Sequence, residues 1–261
     1  MATLDLEKIA QYIKANGDRT VTLKELAEHM NYSEYHLSRS FKKESGYTLK
    51  QYMEAIKIEK SIESLLNEDQ SVTDAALDSG YHSLTSFSNI FKRHTGITPK
   101  KFTLESELAF RFLLWWINRK KVLLHYADFK PTENSILLNI SYPEDYQHRI
   151  TCVGLFRSSL PKEEPVVGIA TTQLQQIRIE NIPEGEYFLL ACEILEDFSF
   201  TKSYLLQSNF RQAIRPALVF DQQTELAYEI RMRRPIESDP PITMNIPVLL
   251  LKTFLKHRNS E

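Results

Sequence analysis

The sequence predicts a multidomain protein in which an all-α domain with two helix-turn-helix units precedes an α+β domain built on an antiparallel sheet. Three observations predict this fold class: a pattern that occurs twice between Thr22 and Phe102, a loss of helical periodicity after about residue 105, and a globular composition. Hydrophobic residues make up 42% and charged residues 25% of the 261-residue chain, which argues against disorder. We expect domains at 1–105 and 106–261, each long enough to bury a core.

The repeated pattern has the form of two helices joined by a tight turn. The turn begins at Asn31 in the first copy and at Gly80 in the second, a separation of 49 residues. Leu37 recurs as Phe87, 50 residues later, which implies one inserted residue in the second turn. We expect a left-handed backbone at Asn31 and Gly80, because both residue types tolerate it.

Capping residues and apolar spacing place the helices of the first domain. Capping boxes begin three of them: Thr22 with Glu25, Thr48 with Gln51, and Ser71 with Asp74. The predicted helices cover about 4–15, 23–30, 34–44, 49–67, 72–79, a helix between Ser83 and Gly96, and a short one from Pro99. We expect Asn16-Gly17-Asp18 to end the first helix.

After about residue 105, apolar residues alternate and prolines become frequent, as in a sheet. The predicted strands are Ser135–Ser141, Arg149–Phe156, Gln175–Ile182, Glu186–Ile194, Leu226–Arg233 and Ile242–Leu251. One helix is predicted at about Thr201–Arg215, where Leu206, Phe210 and Ile214 share one helical stripe. Residues 106–121 fit either a strand, by the alternation of their aromatic residues, or a helix, by their length.

Composition excludes several classes of protein. The longest apolar run, Phe112–Ile117, is far shorter than the roughly 20 residues that span a bilayer. Cys152 and Cys192 lack metal-ligand spacing and lie in apolar runs, so we expect reduced core thiols in a cytoplasmic protein without metal or cofactor. The formal charge is -2, and residues 1–105 hold 14 Lys and Arg against 15 Asp and Glu, so no broad basic field is present.

The tandem pattern, with Phe-Lys-Lys and Phe-Lys-Arg followed by Gly-x-Thr tails, resembles the AraC/XylS family of transcription regulators, close to its MarA, SoxS and Rob branch. The resemblance covers residues 1–105 and implies that each copy places its second helix in a major groove of DNA. At about 1.5 Å per residue, the 49–67 helix spans roughly 28 Å, which suits two readers near the roughly 34 Å repeat of the groove. The side chains expected to read base edges are Glu34, Tyr35, Ser38, Arg39, Leu84, Thr85, Ser88 and Asn89.

Two basic pairs lie at the ends of these helices, Lys42 with Lys43 and Lys92 with Arg93. Such pairs are usually solvated helix ends, but their matched positions favour contact with DNA phosphates. Arg39 can form a bidentate contact to guanine, whereas the second copy offers Asn89, where family members often carry Arg. We therefore expect the first copy to carry most of the sequence specificity.

Residues 176–251 resemble the GyrI-like effector domain through Ile182-Pro183-Glu184-Gly185-Glu186-Tyr187, Tyr228-Glu229 and Met244-Asn245-Ile246-Pro247-Val248. The resemblance implies two βαββ repeats and a cleft for small aromatic or cationic molecules, with Glu229, Tyr187 and Trp115 as candidate effector contacts. Two alternatives stay open at this stage. Glu229 could instead pair with an Arg on the sheet surface, and the aromatic side chains, Trp116 above all, could belong to the core.

The leading hypothesis is a cytoplasmic regulator that binds double-stranded DNA and senses a small molecule through its second domain, with RNA polymerase as a further partner and no membrane. The alternative keeps the DNA binding but makes residues 106–261 a ligand-free interaction or dimerisation module. An enzyme is not expected, because no nucleophile elbow, phosphate loop or metal cluster occurs. Methyl-accepting repair proteins also carry AraC-like helices, but they need a reactive Cys beside that domain.

Overall fold

The structure, a computed structural model, describes residues 4–16, 21–67, 69–119, 122–127, 130–195 and 197–258. They divide into two compact units. The helical unit contains the residues up to Thr103 together with two later segments, Ser158–Glu163 and Ile236–Met244. The sheet unit contains Leu104–Arg157, Glu164–Pro235 and the residues from Asn245 onward.

The helical region follows the order that the capping residues predict. Its helices are α1 (Leu6–Ala15), α2 (Leu23–His29), α3 (Glu34–Ser45), α4 (Leu49–Leu65), α5 (Val72–Asp78), α6 (Leu84–Thr95) and α7 (Pro99–Ile117). All three predicted capping boxes form, at Thr22, Thr48 and Ser71, and each closes both of its hydrogen bonds. Gly17 and Asp18, predicted to end α1, lie outside the described residues.

The two turns adopt the left-handed backbone expected of them. Asn31 has a φ of 56° and Gly80 a φ of 74°. In each copy the next Tyr donates its backbone N–H to the carbonyl of an Ala in the preceding helix, Tyr32 to Ala27 and Tyr81 to Ala76, both at 2.9 Å. The inserted residue in the second copy therefore leaves the turn geometry unchanged.

Each copy buries the apolar residues that its repeat predicts. Leu37 and Phe41 of α3 pack in one cluster with residues of α1, α2 and α4. In the second copy, the ring of Phe91 lies 5.6 Å from the ring of Phe87 and 5.6 Å from that of Phe102. The buried stripe of α3 and α6 consequently leaves the opposite stripe of each helix in solvent.

The sheet unit contains two sheets. Its strands are β1 (Leu123–Tyr126), β2 (Ser135–Ser141), β3 (Ile150–Phe156), β4 (Val167–Thr171), β5 (Ile177–Glu180), β6 (Gly185–Ile194), β7 (Arg211–Phe220) and β8 (Glu225–Arg231), followed by helix α8 (Ile246–Arg258). One sheet has the order β1-β4-β3-β6-β7 with antiparallel neighbours. The other has the order β5-β2-β8, in which β2 pairs antiparallel with β5 but parallel with β8.

Residues from both sheets form one hydrophobic core. Strand β2 alternates as its sequence predicts, with Ile136, Leu138 and Ile140 fully buried. Strand β8 does the same more weakly, since Ile230 is buried while Glu229 and Arg231 are exposed. The period-two pattern therefore located the strands that have one face on this core.

The helix predicted at Thr201–Arg215 is wrong. Only Thr201–Ser203 is helical there, as a short 3-10 turn, and Arg211–Phe220 is strand β7. Strand β7 lies at the edge of its sheet, a position that tolerates Pro216 within a strand. Pairing with β6, which a local pattern cannot show, decided between strand and helix.

The strand predicted at Ile242–Leu251 is also wrong, because the chain forms α8 from Ile246. Asn245 begins this helix, and its side-chain oxygen accepts the backbone N–H of Val248 at 3.1 Å. Pro247 occupies the first turn, where the missing N–H costs nothing. Asn245 and Pro247 were a usable start signal, but the apolar run after them suggested a strand.

Residues 106–121, which fitted either structure, are helical as far as Ile117, so the helix that begins at Pro99 has 19 residues and is not short as predicted. Trp116 is 2% exposed, so its assignment to the core is confirmed. Strands β1 and β4 lie where no strand was predicted. None of the helices in the part of the chain that the structure describes is long and apolar enough to cross a membrane.

The resemblance of residues 176–251 to a GyrI-like domain is not confirmed. Two βαββ repeats require a full helix between the first and second strand of each repeat. Among the described residues from Leu123 to Arg231, the 3-10 turn Thr201–Ser203 is the only helical segment. The sheet unit therefore has a different order of elements from the one that the resemblance implies.

Candidate nucleic-acid interface

Helices α3 and α6 are built by the same local signals. Ser33 caps α3 by accepting the backbone N–H of His36 at 3.2 Å, and Ser83 caps α6 by accepting that of Ser86 at 3.3 Å. Each helix ends at a glycine with a φ of 80°, Gly46 and Gly96. Both helices are 12 residues long and present equivalent positions to solvent.

The solvent side of these helices carries the residues predicted to read bases. Tyr35 is 73% exposed and Leu84 is 49% exposed. The other predicted readers are also exposed, apart from the two partly buried serines: Glu34, Ser38, Arg39, Thr85, Ser88 and Asn89. The structure thus gathers the eight residues into two equivalent patches, one on each helix.

The two patches differ in chemistry. In the first, Arg39 Nη1 donates to the Tyr35 hydroxyl at 3.4 Å, so the aromatic side chain supports the guanidinium within its own patch. In the second, Asn89 takes the equivalent place, and Leu84 adds an exposed apolar side chain. An arginine fork suits guanine, whereas an amide suits adenine and an apolar side chain suits a thymine methyl.

The basic pairs at the ends of the helices also differ. Lys42, Lys43 and Lys92 are exposed. The Arg93 guanidinium is half-exposed and donates to Glu54 of α4 at 2.9 Å. Because Arg93 compensates that carboxylate, the basic pair in the last turn of α6 carries less uncompensated positive charge than the pair in the last turn of α3.

Glu54 also contacts His94, a fully buried side chain at the end of α6. Its Oε1 lies 2.9 Å from His94 Nε2. Hydrogen bonds, first from His94 and then from Arg93, lower the pKa of Glu54 to about 2 against the opposing effect of burial. The carboxylate is therefore ionised at neutral pH and can only accept, so His94 Nε2 carries the shared proton.

The three predicted effector contacts lie on different elements. Glu229 is exposed on β8 and accepts from the Asn139 amide across the sheet at 2.9 Å. Tyr187 is 3% exposed, and its hydroxyl donates to the Glu184 carbonyl at 3.0 Å, so burial raises its pKa. Trp115 is 42% exposed on α7, with the Arg119 guanidinium 3.8 Å from the ring centre. The hydrogen bonds and ring contacts of the described residues do not join any two of the three.

The cysteines are paired across strands without a disulfide. Cys152 of β3 and Cys192 of β6 are register partners, and both are free thiols. Burial raises the pKa of both thiols, that of Cys192 to about 12, so they stay protonated and poorly nucleophilic. Over the described ranges, no three His, Cys, Asp or Glu side chains cluster as a metal site.

Sequence reasoning missed Glu54 and the two later segments of the helical unit. Glu54 meets its partner His94 40 residues along the chain. The segments Ser158–Glu163 and Ile236–Met244 have the composition of loops, and no local pattern links them to the helices. Only an alignment with covarying positions could have signalled such contacts.

Residues 26–104 match the family model described as a helix-turn-helix domain. An HTH-type transcriptional regulator of Staphylococcus aureus is 32% identical over 97 residues, which are 37% of this chain and 13% of that protein. The bifunctional transcriptional activator/DNA repair enzyme AdaA of Bacillus subtilis is 31% identical over 103 residues, 40% of this chain and 49% of that protein. The C-terminal domain of AraT, a response regulator from Geobacillus stearothermophilus, is 28% identical, with a TM-score of 0.36 over 40% of this chain and 87% of that domain.

The chain thus spans half or less of the curated relatives that it matches. The matched residues include both copies of the repeated pattern, so a helix-turn-helix domain is present. The names of both relatives place them among transcription regulators. For this part of the chain, the comparisons support the resemblance to the AraC/XylS family.

Proposed function

We propose that this protein is a transcription regulator that binds double-stranded DNA in a sequence-specific manner through α3 and α6. The observation that carries the proposal is the pair of equivalent exposed patches on two helices whose opposite faces are buried. Each patch combines side chains that can reach base edges with a basic pair at the helix end. DNA recognition requires both, because base contacts give specificity and phosphate contacts position the protein.

Helix α4 supports the use of both patches on one duplex. Its 17 residues give a length of about 25 Å at 1.5 Å per residue, two residues shorter than predicted. A connector of this size suits two readers near the roughly 34 Å repeat of the major groove. Because the chain has no basic excess, phosphate contacts by a few well-placed lysines must supply the electrostatic part of binding.

Salt dependence tests the DNA-binding proposal. We expect the wild-type affinity for a selected duplex to fall with salt, and the double variant Lys42→Gln/Lys43→Gln to reduce the slope of log K against log [salt] by about 2, about 1 for each lost contact. Binding is measured by fluorescence anisotropy across a salt series. Lys252→Gln/Lys256→Gln on α8 removes the same charge from the sheet unit and should leave the slope unchanged. A wild-type slope near zero would refute phosphate contact.

We further propose that the sheet unit senses a small aromatic or cationic effector. The support is that Trp115 already accepts a guanidinium on its ring face and that Glu229 presents an exposed carboxylate. Tyr187, buried and hydrogen-bonded, is assigned to the core instead. AdaA carries the name of a transcriptional activator, and on that likeness we propose RNA polymerase as a second macromolecular partner.

A thermal-shift screen of lipophilic cations and aromatic metabolites tests the effector proposal. A ligand that binds the folded chain raises the melting temperature by mass action. We expect Glu229→Gln to abolish the rise for a cation held by the carboxylate, and Trp115→Leu to abolish it for a cation held on the indole ring. Arg178→Gln, another exposed charged position on the sheet, is the control and should keep the rise. If no compound in a broad screen raises the melting temperature, the alternative is favoured, in which residues 106–261 form a ligand-free interaction module.

A further inference from the structure

Two segments that lie far along the chain from the repeated pattern belong to the helical unit: Ser158–Glu163 and Ile236–Met244. They are called the bridging segments below. We propose that the bridging segments fix the position of α3 relative to α6, and so determine the half-site spacing on DNA that the protein accepts. The inference rests on the proposed DNA-binding function, and it makes Ser159 and Thr243 positioning residues.

The first bridging segment contacts the last turn of both recognition helices. The buried Ser159 hydroxyl donates to the backbone carbonyl of Ser45 at 3.1 Å. Four residues later, the backbone N–H of Glu163 donates to the carbonyl of His94 at 3.2 Å. The final carbonyls of a helix lack partners within the helix, so one short segment satisfies such groups at the ends of both α3 and α6.

Leu160 anchors this segment in the first helix-turn-helix copy. It is fully buried in the same cluster as Leu37 and Phe41. The first bridging segment also lies close to Gly46 at the end of α3, where an added Cβ would be 2.5 Å from Ser159 Oγ. A side chain at Gly46 would therefore collide with the bridging segment in addition to straining the left-handed backbone that ends α3.

The second bridging segment begins against the first copy. The Tyr47 and Tyr52 hydroxyls donate to the carbonyls of Ser238 and Glu237, each at 3.5 Å. The backbone N–H of Ser238 donates to the Glu7 carboxylate at 3.2 Å. This end of the segment is therefore held by α1, by Tyr47 in the turn between α3 and α4, and by α4.

The other end of the second bridging segment reaches the second copy. Thr243 is fully buried, and its hydroxyl lies 2.9 Å from His94 Nδ1. His94 Nε2 in turn contacts Glu54 of α4 at 2.9 Å. The imidazole thus connects α6 to α4 on one side and to the bridging segment on the other.

The two bridging segments also bind each other, since the backbone N–H of Thr243 donates to the Pro161 carbonyl at 3.3 Å. Together they connect α3 to α6 by a route that does not pass along α4. If α4 were the only link between the two copies, the angle between them could change at either end of α4. The second connection restricts this angle. Two linked binding modules gain affinity only when their geometry allows simultaneous contact, so a fixed geometry selects one spacing.

The double variant Ser159→Ala/Thr243→Val tests the inference in the full chain. It removes two hydroxyl contacts with little change in volume. Ser203→Ala/Thr253→Val is a matched control in the sheet unit, because Ser203 is a buried hydroxyl that donates to a carbonyl and Thr253 contacts His125 at 3.1 Å. Binding is measured on duplexes that carry both half-sites at spacings varied in steps of one base pair, and on a duplex with only the α3 half-site.

We expect the test variant to keep wild-type affinity for the single half-site, to lose about tenfold at the preferred spacing, and to show a flatter spacing profile. The control variant should match the wild type on every duplex. An unchanged spacing profile, or an equal loss on both kinds of duplex, would overturn the inference. If the double variant does not fold, Thr243→Val alone provides the same comparison. Failure of the wild type to select any DNA sequence would instead refute the proposed function.

Discussion

Arg39→Ala is expected to weaken binding to a selected DNA site by about 1–3 kcal/mol, with the loss confined to one base position. Arg39 is exposed on α3, and its guanidinium donates a hydrogen bond to the Tyr35 hydroxyl. This bond restricts the orientation of the guanidinium before DNA binds. A bidentate contact to guanine discriminates by this amount against other bases. The second patch has Asn89 at the equivalent place, so the two copies are expected to contribute unequally.

The measurement is affinity for the selected duplex and for the duplexes that carry each single-base change. The wild type should lose affinity at the guanine position, whereas Arg39→Ala should bind the four bases there almost equally. Arg39→Lys keeps the charge but loses the fork, so it should retain salt dependence without recovering the base preference. A uniform loss on all sequences would show instead that Arg39 contacts the DNA backbone.

Phe91→Ala is expected to lower the free energy of unfolding of the helical unit by about 3–5 kcal/mol. Phe91 is fully buried between Phe87 and Phe102, on the face of α6 opposite the exposed patch. Truncation removes apolar burial and leaves a cavity that the surrounding side chains close only in part. The loss is a large share of the roughly 5–15 kcal/mol that stabilises a typical domain.

Denaturant unfolding, followed by circular dichroism and by amide hydrogen exchange in α5 and α6, measures this loss. Hydrogen exchange is needed because the chain contains two compact units and a single transition cannot be assumed. Tyr35→Ala, an aromatic truncation at a position 73% exposed, is the control and should change stability by less than about 0.5 kcal/mol. A loss of that small size for Phe91→Ala would contradict the packing of the second copy.

The helical unit could be predicted closely because its signals are local. A capping box acts over four residues, as at Thr22 and Thr48, and the left-handed turn at Asn31 depends on that residue type. The repeat provided a second signal, since each turn and each helix cap of one copy has a counterpart in the other. Exposure of the predicted DNA patches followed from helical periodicity alone.

The sheet unit was predicted less well because its local signals conflict. The helix predicted at Thr201–Arg215 rested on three apolar residues at helical spacing, in a segment that forms a 3-10 turn and the start of a strand. The strand predicted at Ile242–Leu251 rested on a short apolar run, which fits both a strand and a helix. Strand β7 owes its structure to pairing with β6, and α8 begins at a cap that the following apolar run obscured. Two of the candidate effector residues, Tyr187 and Glu229, could be placed on strands, but none of the three could be placed in relation to the others.

By itself, the sequence determined that two helix-turn-helix copies follow each other, which faces of α3 and α6 are buried, and which of their side chains lie in solvent. Only the tertiary structure decided that Arg93 forms an ion pair with Glu54 and that the bridging segments belong to the helical unit. The physical reason is separation along the chain: Ser159 and Ser45 lie 114 residues apart, and Thr243 and His94 lie 149 apart. Hydrogen bonds over such separations depend on the folded arrangement of the backbone, and no local periodicity or cap encodes them.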